Sequence, residues 1–418
     1  MKILVLNSGS SSIKYQVFEF NSEGSRSEAK GIVERIGQSG ATITCARLDR
    51  NDSSTSGLSN VEKSPAQIKD HHGAIALICK SLLNPSSPII GNVTELSAIG
   101  HRVVHGGEEF YKSVLIDKSV LTGIERCARL APLHNPPAIM GIKACTDTFG
   151  AVPQVAVFDT AFHHTIPRNA YLYPIPYAYY QEHAIRKYGF HGTSHRYVAL
   201  EAARYLGKPI EETRLITCHL GNGCSVTAIN RGKSIDTSMG MTPLGGVMMG
   251  TRSGDMDPYI PLYMIREMGL DADEVTRTLN RSSGMEGICK HTDVRDIERL
   301  ALEGDESAQL ALDMFAYRIA LFIGGYAMAL GGADAIVFTG GIGENDAAMR
   351  SRILAKSGYL GIHIDEEQNS KHAVCIASPT STAKALVIRT NEELMIARDT
   401  AAIIEASFAT AALVSTPS

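Results

Sequence analysis

The stretch that decides the fold is Ile3-Leu-Val-Leu-Asn-Ser-Gly-Ser-Ser-Ser-Ile-Lys-Tyr-Gln-Val-Phe-Glu19. Its apolar start, residues 3–6, predicts a buried strand, and the polar residues 7–12 predict a tight turn after it. Residues 13–17 alternate between apolar and polar side chains, which indicates a returning strand. The turn offers backbone N–H groups, hydroxyls, an amide and the Lys14 ammonium. These groups bind phosphate and the water shell of a metal ion.

A second copy of this plan occupies residues 214–230, Arg-Leu-Ile-Thr-Cys-His-Leu-Gly-Asn-Gly-Cys-Ser-Val-Thr-Ala-Ile-Asn. An apolar strand again leads through a glycine-rich polar turn into an alternating strand. For one copy alone, a plain hairpin with a polar turn is an equally good interpretation. Two copies, each opening about half of the chain, predict two like domains that face each other across a nucleotide. Neither copy has the Walker or Rossmann glycine pattern, which disfavours a P-loop kinase.

Composition and charge exclude several classes of protein. The 418 residues predict about two to three domains, and a net charge of −4 without a basic block argues against a nucleic-acid partner. The eight cysteines show no zinc-site spacing, so we expect reduced thiols and a cytoplasmic location. The N-terminal apolar run is too short for a signal peptide. The apolar residues 319–338 contain glycines and Asp334, which indicates a buried helix and a strand rather than a membrane span.

Two charged residues stand at the ends of predicted strands. Arg102 lies between apolar neighbours, where a guanidinium must find an anion; an internal salt bridge and a bound substrate are about equally good interpretations. Asp159 directly follows the apolar residues 155–158. This position is common for catalytic carboxylates in open α/β sheets, and a helix N-cap is the alternative.

Glycine-rich segments supply further candidates. Residues 187–195 carry two histidines among glycines, and Arg252 stands at the centre of the glycine-rich loop 244–258. An arginine on such a loop suits charge stabilisation at a transferred group. Residues 335–345 predict a strand, a glycine turn and the start of a helix, where a ligand can approach the backbone closely. Residues 306–330 predict a helix that is apolar on nearly all sides and therefore central.

Together these motifs resemble the acetate kinase family, in the family's order and from residue 1 to about residue 404. No single motif would be specific. The motifs are Asn7-Ser-Gly-Ser-Ser-Ser-Ile-Lys14, Gly100-His-Arg-Val-Val-His-Gly-Gly107, Phe158-Asp-Thr-Ala-Phe-His163, Tyr188-Gly-Phe-His-Gly-Thr-Ser-His195, His219-Leu-Gly-Asn-Gly223, Gly250-Thr-Arg-Ser-Gly-Asp255 and Gly340-Gly-Ile-Gly-Glu-Asn345.

The resemblance implies a duplicated, actin-like (ribonuclease H-like) α/β fold of two domains with an active-site cleft between them. The first domain would comprise residues 1–158 and about 390–418, and the second, residues 159–389, would bind nucleotide and mediate dimerisation. The family also implies the reversible reaction of ATP and acetate to ADP and acetyl phosphate. It further implies a required Mg²⁺ ion, which Mn²⁺ could replace, and a homodimer.

The resemblance also implies roles for individual residues. Asn7 and Glu392 would hold the magnesium ion, largely through water. The catalytic residues would be Asp159, His191 and Arg252. Acetate would be bound by Arg102 and by an apolar pocket formed by Val104, Leu133, Phe190 and Pro243. ATP would be bound by Lys14, His219, Leu220, Gly221, Asn222, Gly223, Asp293, Val294, Arg295, Gly341, Ile342, Gly343, Glu344 and Asn345.

The chemistry limits what Asp159 can do. Acetate is already ionised at neutral pH, because carboxyl groups titrate near ~4, so no base is needed. We therefore expect Asp159 to position Arg102 or Arg252, or to order the magnesium waters. Two alternatives remain open: a propionate or butyrate kinase with the same machinery, and a non-catalytic nucleotide-binding module. Residues 283–292 are more polar and basic than the family pattern, which leaves the nucleotide preference open.

Overall fold

A computed structural model describes residues 1–22, 24–48, 58–132 and 134–414. The chain divides into two compact units, unit 1 with Met1–Ala161 and Asn391–Ser418, and unit 2 with Phe162–Thr390. The domain boundary expected from the sequence placed Asp159 in the second domain, whereas the structure groups it with unit 1. The reason is that Asp159 ends a strand of the first sheet, as described below.

The described residues contain these strands: β1 Lys2–Ser8, β2 Ser12–Asn21, β3 Gly24–Glu34, β4 Thr42–Leu48, β5 Leu58–Pro65, β6 Leu96–Val103, β7 Val114–Leu115, β8 Gln154–Phe158, β9 Arg214–Leu220, β10 Cys224–Asn230, β11 Lys233–Thr237, β12 Ala335–Thr339 and β13 Lys384–Val387.

The α-helices are α1 His71–Leu82, α2 Lys118–Cys127, α3 Asn135–Phe149, α4 Arg168–Tyr171, α5 Ala178–His183, α6 Gly192–Leu206, α7 Tyr259–Arg266, α8 Ala272–Arg281, α9 Gly284–Cys289, α10 Val294–Leu302, α11 Glu306–Leu330, α12 Gly340–Asn345, α13 Ala347–Leu354, α14 Glu366–Ser370 and α15 Glu392–Val414.

Both units contain the same sheet plan. In unit 1 the strand order is β5-β4-β3-β2-β1-β6-β8-β7, and in unit 2 it is β11-β10-β9-β12-β13. In each sheet an antiparallel three-stranded meander, β1-β2-β3 or β9-β10-β11, is extended by two parallel strands, β6 and β8 or β12 and β13. The two strand–turn–strand copies detected in the sequence therefore occupy equivalent places in two like sheets.

The alternation of side chains along β1 explains its wholly apolar sequence. Leu4 and Leu6 pack on one face in a core that includes residues of α1 and α3. Ile3 and Val5 pack on the other face against residues of α15. Because helices cover both faces, every residue from 3 to 6 must be apolar. Gly100 of β6 belongs to the same tight packing, since a Cβ there would lie 2.4 Å from Oγ1 of Thr400 on α15.

In unit 2, α6 covers one face of the sheet, where Val198 and Ala202 pack with Leu215 and Val337. Helix α11 contacts β9 and β10 as well as α9, α10 and α13. The expectation that α11 is buried on all sides is wrong, because a stripe of four apolar side chains on it is 52–83% exposed: Leu310, Tyr317, Leu321 and Met328. Their spacing of seven, four and seven places them on one side of the helix.

Among the described residues, α11 alone is long and apolar enough to cross a membrane, and 44% of its most apolar window is buried inside the protein. Length and composition alone are weak evidence for a span, because a core helix passes the same test.

Candidate active site

Unit 1 brings Arg102 and Asp159 together at the carboxyl ends of β6 and β8. The Nε atom of Arg102 donates to both carboxylate oxygens of Asp159 at 3.1 Å, and Nη2 donates to Oδ2 at 2.5 Å. The side chain of Asp159 is 1% exposed. Burial alone would lower the pKa of Arg102, but the charges of Asp159 and Glu392 outweigh it and raise this pKa above the ordinary value. Asp159 therefore orients and neutralises the arginine, as one of the sequence-based hypotheses expected.

The residues predicted to hold magnesium lie around the same arginine. Nη1 of Arg102 donates to Oδ1 of Asn7 at 3.4 Å, and Nε lies 3.9 Å from Oε2 of Glu392. Burial raises the pKa of Glu392 to about 7; Asp159 and Glu393 add to this shift, whereas Arg102 and Lys14 oppose it. Burial is thus the main reason why the charged form of Glu392 is disfavoured.

This donor set fits a magnesium ion. A divalent cation would stabilise the buried carboxylate of Glu392, and carboxylate and amide oxygens are hard ligands of the kind Mg²⁺ prefers. Among the described residues no group of three or more His, Cys, Asp or Glu side chains could hold a metal. Mg²⁺ commonly keeps several waters and binds one or two carboxylates together with substrate phosphates, so Asn7 and Glu392 suit an ion held largely through water.

The predicted acetate pocket is only partly described. Leu133 lies outside the described residues, and Val104 is half-buried at the end of β6 in unit 1. Phe190 is buried in unit 2, where its carbonyl oxygen lies 2.9 Å from Nε2 of His163. Pro243 is half-buried, and its carbonyl oxygen accepts a hydrogen bond from Arg252 at 3.0 Å.

In unit 2, the turn after β9 lies against the start of α12. Gly340 has φ +77°, and a Cβ on it would lie 2.7 Å from the carbonyl oxygen of Leu220. A glycine is required there for both reasons. Because of this close approach, the two segments predicted to bind ATP, residues 219–223 and 341–345, lie side by side.

A cavity of 710 Å³ opens beside these two segments, and residues of unit 2 line it. Its walls include eight of the residues predicted to bind ATP: Gly221, Asn222, Asp293, Val294, Arg295, Gly341, Ile342 and Asn345. Further walls are formed by residues that were not among those predicted to bind ATP, namely Gly250, Met285, Thr292, Glu298, Asp346, Ala347, Ala348 and His372. Lys290 and His291, which make residues 283–292 look basic, are exposed and do not line this cavity.

The other predicted ATP residues of unit 2 do not line this cavity. Leu220 is fully buried in β9. Glu344 braces the loop, because its Oε1 accepts hydrogen bonds from the backbone N–H groups of Gly340 at 3.0 Å and Thr390 at 3.1 Å. His219 holds Ser194, with 2.8 Å between its Nδ1 and the hydroxyl oxygen.

Asp293 begins α10 as its N-cap and accepts a hydrogen bond from the backbone N–H of Arg295 at 3.0 Å. The Arg295 guanidinium also donates to the Asp293 carboxylate, with distances of 2.9 and 2.5 Å. These bonds lower the pKa of Asp293 to about 2. The carboxylate is therefore ionised and fixes the arginine plane at the cavity wall.

His191 precedes α6 with a left-handed backbone, φ 56°, which is rare for a residue with a side chain. Its ring stacks on His219 with 4.2 Å between centroids, and its Nδ1 lies 2.9 Å from the Ser225 hydroxyl oxygen. Strained backbones of this kind cluster at functional sites.

Arg252 carries a positive charge in the glycine-rich loop of unit 2. Its Nη1 donates to the carbonyl oxygen of Pro243, and among the described residues no carboxylate forms an ion pair with it. Burial lowers its pKa from the ordinary value. Such a charge is stabilised by an incoming anion. A Cβ on Gly223 would lie 3.3 Å from Nε2 of His191 and 3.5 Å from Nη1 of Arg252, so both side chains meet at the second predicted phosphate turn.

No pattern in the sequence indicates that three buried residues behind His191 contact one another. Ser225 and His195 contact each other with 2.7 Å between Oγ and Nε2, and His195 Nδ1 lies 2.7 Å from Oγ1 of Thr217. On strands β9 and β10, Thr217 and Ser225 look like ordinary strand residues. Their pairing with the helical His195 depends on the packing of α6 against the sheet.

Comparison with known proteins identifies the family. The family model described as Acetokinase family matches residues 2–398. A curated acetate kinase of Clostridium novyi is 50% identical over 408 residues, which cover 97% of this chain and 99% of the relative. The crystal structure of Porphyromonas gingivalis acetate kinase matches with a TM-score of 0.89 and 40% identity, over 96% of this chain and 99% of that chain.

A propionate kinase from Francisella tularensis is also similar, with a TM-score of 0.87 and 43% identity over 95% of this chain and 98% of that chain. These likenesses, together with the two equivalent sheets, confirm the duplicated actin-like α/β fold. The chain belongs to the acetokinase family.

Proposed function

We propose that this protein transfers the γ-phosphoryl group of ATP to acetate, forming ADP and acetyl phosphate, and catalyses the reverse reaction. Besides the family membership, the observation that carries the proposal is the arrangement at Gly223. There a histidine meets an arginine that has no carboxylate partner in the described part of the chain, at a phosphate-type turn beside a cavity large enough for a nucleotide.

The proposed mechanism divides the work between several side chains. The turn at residues 219–223 and the walls of the 710 Å³ cavity bind ATP. Arg102, oriented by Asp159, binds the acetate carboxylate through two parallel hydrogen bonds and thereby sets the angle of attack. Arg252 and His191 stabilise the charge on the equatorial oxygens of the transferred group. Asp159 takes no proton, because the acetate oxygen that attacks is already ionised.

Magnesium has a defined part in this proposal. Asn7 and Glu392 would hold the ion, with Mn²⁺ as a substitute, and it would supply positive charge at the phosphate oxygens. Lys14, which is exposed at the start of β2, would neutralise further phosphate charge.

The preference among acetate, propionate and butyrate depends on the apolar pocket. One methylene in such a pocket is worth only about 1–3 kcal/mol, so we expect acetate to lead and propionate to react measurably. A propionate or butyrate kinase is the alternative within the family.

The test of this function is trapping of the acyl phosphate as a hydroxamate, with Mg²⁺, ATP and either acetate, propionate or butyrate. Acetate should give the highest rate. A higher rate with butyrate than with acetate would overturn the assignment of the pocket residues. Nucleotide binding without hydroxamate from any acid would overturn the kinase proposal and favour a non-catalytic binding module.

We also propose a homodimer. The exposed apolar stripe of α11, Leu310, Tyr317, Leu321 and Met328, is what a self-associating face requires. For location we keep the cytoplasm, since all eight cysteines are unpaired thiols.

A further inference from the structure

The ring of His191 stands at the end of a chain of buried hydrogen bonds. Its Nδ1 lies 2.9 Å from Oγ of Ser225, which lies 2.7 Å from Nε2 of His195. Nδ1 of His195 lies 2.7 Å from Oγ1 of Thr217. His195, Ser225 and Thr217 are fully buried. They are therefore shielded from a substrate and can act on one only through His191.

The number of available protons decides which group donates and which accepts in each of these hydrogen bonds. Burial, together with His163 and His219, lowers the pKa of His195 well below the ordinary value, so its ring is neutral. A neutral imidazole has one N–H group and one bare nitrogen. The hydrogen bonds can therefore be donated either from Thr217 towards His191 or from His191 towards Thr217.

In the first direction every proton is used. The Thr217 hydroxyl donates to Nδ1 of His195, Nε2–H of His195 donates to Ser225, and the Ser225 hydroxyl donates to Nδ1 of His191. In the opposite direction Thr217 would have to accept from His195. Its own proton would then lack an acceptor, because His195 is the hydrogen-bond partner of this hydroxyl within the described part of the chain. An unsatisfied donor in a fully buried site is costly.

We propose that Thr217, His195 and Ser225 are positioning residues that keep the proton of neutral His191 on Nε2. This inference rests on the proposed function, because it concerns how His191 serves phosphoryl transfer. The Nε2 atom is the one that lies next to Gly223, near Nη1 of Arg252. His191 thus presents an N–H donor at the phosphate turn without having to become charged beside an arginine. A donor held in place before the reaction is effective at stabilising developing negative charge.

The test combines a spectroscopic and a kinetic measurement on the full chain. Selective labelling with ¹⁵N-histidine and long-range ¹H–¹⁵N correlation distinguish the protonated from the bare ring nitrogen, and the signals of His191 are assigned by their loss in His191→Gln. We expect the Nε2–H form in the parent protein. Ser225→Ala and the nearly isosteric Thr217→Val should both convert part of His191 to the Nδ1–H form.

Ser225→Ala should also lower kcat about tenfold, with the KM values of ATP and acetate within about twofold of the parent. Thr227→Val is the matched control. Thr227 lies two residues from Ser225 on β10, is equally buried and bonds the Thr237 hydroxyl at 2.8 Å instead of a histidine. It should leave the His191 tautomer and kcat unchanged.

Two results would overturn the inference: an Nδ1–H form of His191 in the parent, or variants at 217 and 225 that behave like the control at 227. A parent protein that forms no acyl phosphate would instead contradict the proposed function. The tautomer is measured independently of activity, so the two failures are distinguishable.

Discussion

Arg102, which is predicted to bind acetate, and Arg252, which is predicted to act on the phosphoryl group, lie in opposite electrostatic surroundings. Arg102 is neutralised by Asp159, and its pKa is raised, whereas Arg252 has no carboxylate partner among the described residues, and its pKa is lowered by burial. The first is therefore suited to orient a carboxylate, and the second to respond to charge that appears on the phosphoryl group during transfer.

Replacing Asp159 with Asn tests whether this residue positions Arg102. We expect kcat/KM for acetate to fall about a hundredfold, or roughly 2.7 kcal/mol, since the variant loses the charge-assisted bonds that orient Arg102. The profile of kcat/KM against pH should keep its limbs, because Asp159 accepts no proton; a limb that reports Glu392, whose pKa of about 7 the Asp159 charge helps to raise, should move to lower pH. A limb of the parent profile that disappears in Asp159→Asn would identify Asp159 as a general base.

Buried histidines predict how stability depends on pH. Burial lowers the pKa of His101 and of His163 to about 4, whereas an unfolded histidine titrates near ~6.5. Between these values the unfolded chain binds more protons, so the unfolding free energy is fully retained above about pH 6.5 and falls as the pH drops towards 4. Each histidine contributes a slope of up to about 1.4 kcal/mol per pH unit.

Urea unfolding at several pH values between 7.5 and 5 measures this slope. His101→Gln removes one of these groups and should reduce the slope by one histidine's share, while His163 and the buried His195, whose pKa is also lowered, keep theirs. His183→Gln is the control, since His183 is exposed on α5 and should leave the slope unchanged. A slope that is the same in His101→Gln as in the parent would contradict the assignment.

Residues that carry charge on short motifs could be predicted from the sequence, and residues that act through packing could not. Arg102, His191 and Arg252 stand in distinctive glycine-rich contexts. The contacts of His195 with Thr217 and Ser225 join residues 22 and 30 positions apart, and nothing local marks them. Glu344 lies in a motif predicted to bind ATP, and the motif gives no sign that its carboxylate also holds the loop backbone.

At the scale of elements, hydrophobic alternation predicted the two strand–turn–strand copies correctly because strands with buried faces leave little freedom in register. Helix α11 was placed correctly along the chain, but its burial was overestimated. Composition alone does not distinguish a helix that packs on all sides from one that packs on one side and leaves an apolar stripe exposed.

Gly340→Ala tests the close approach of α12 to β9. The new methyl group would meet the carbonyl oxygen of Leu220 at 2.7 Å and would occupy a left-handed backbone, φ +77°. We expect a loss of about 1–3 kcal/mol in unfolding free energy and a weaker affinity for ATP, measured by urea unfolding and by calorimetry.

Gly269→Ala is the matched control, because Gly269 has a similar φ of +74° and nothing within 4 Å of the added Cβ. It should show the backbone strain alone and keep the parent's ATP affinity. Equal ATP affinity in the two variants would contradict the steric account.

At the scale of the whole molecule, the exposed stripe of α11 predicts self-association. Leu321→Glu would place a charge on this stripe, so we expect the protein to become monomeric, whereas the parent should be a dimer when measured by light scattering after gel filtration. Tyr111→Glu, at a residue of unit 1 that is 54% exposed, is the control. A parent that is already monomeric at micromolar concentration would refute the dimer.

The arrangement of two like units was largely predictable because the strand–turn–strand pattern occurs twice in the sequence. The place where one unit ends was not, since Asp159 follows β8 without a turn signal and stays with the sheet of unit 1.

The most direct test of the central claim is the rate of acetyl phosphate formation by Arg252→Ala and Arg252→Lys at saturating ATP, Mg²⁺ and acetate, with nucleotide affinity measured in parallel. We expect ATP to bind nearly as in the parent. Arg252→Ala should lose about a thousandfold in kcat, and Arg252→Lys, which keeps the charge but not the planar fork, should lose less. Parent-like kcat in Arg252→Ala would contradict the account.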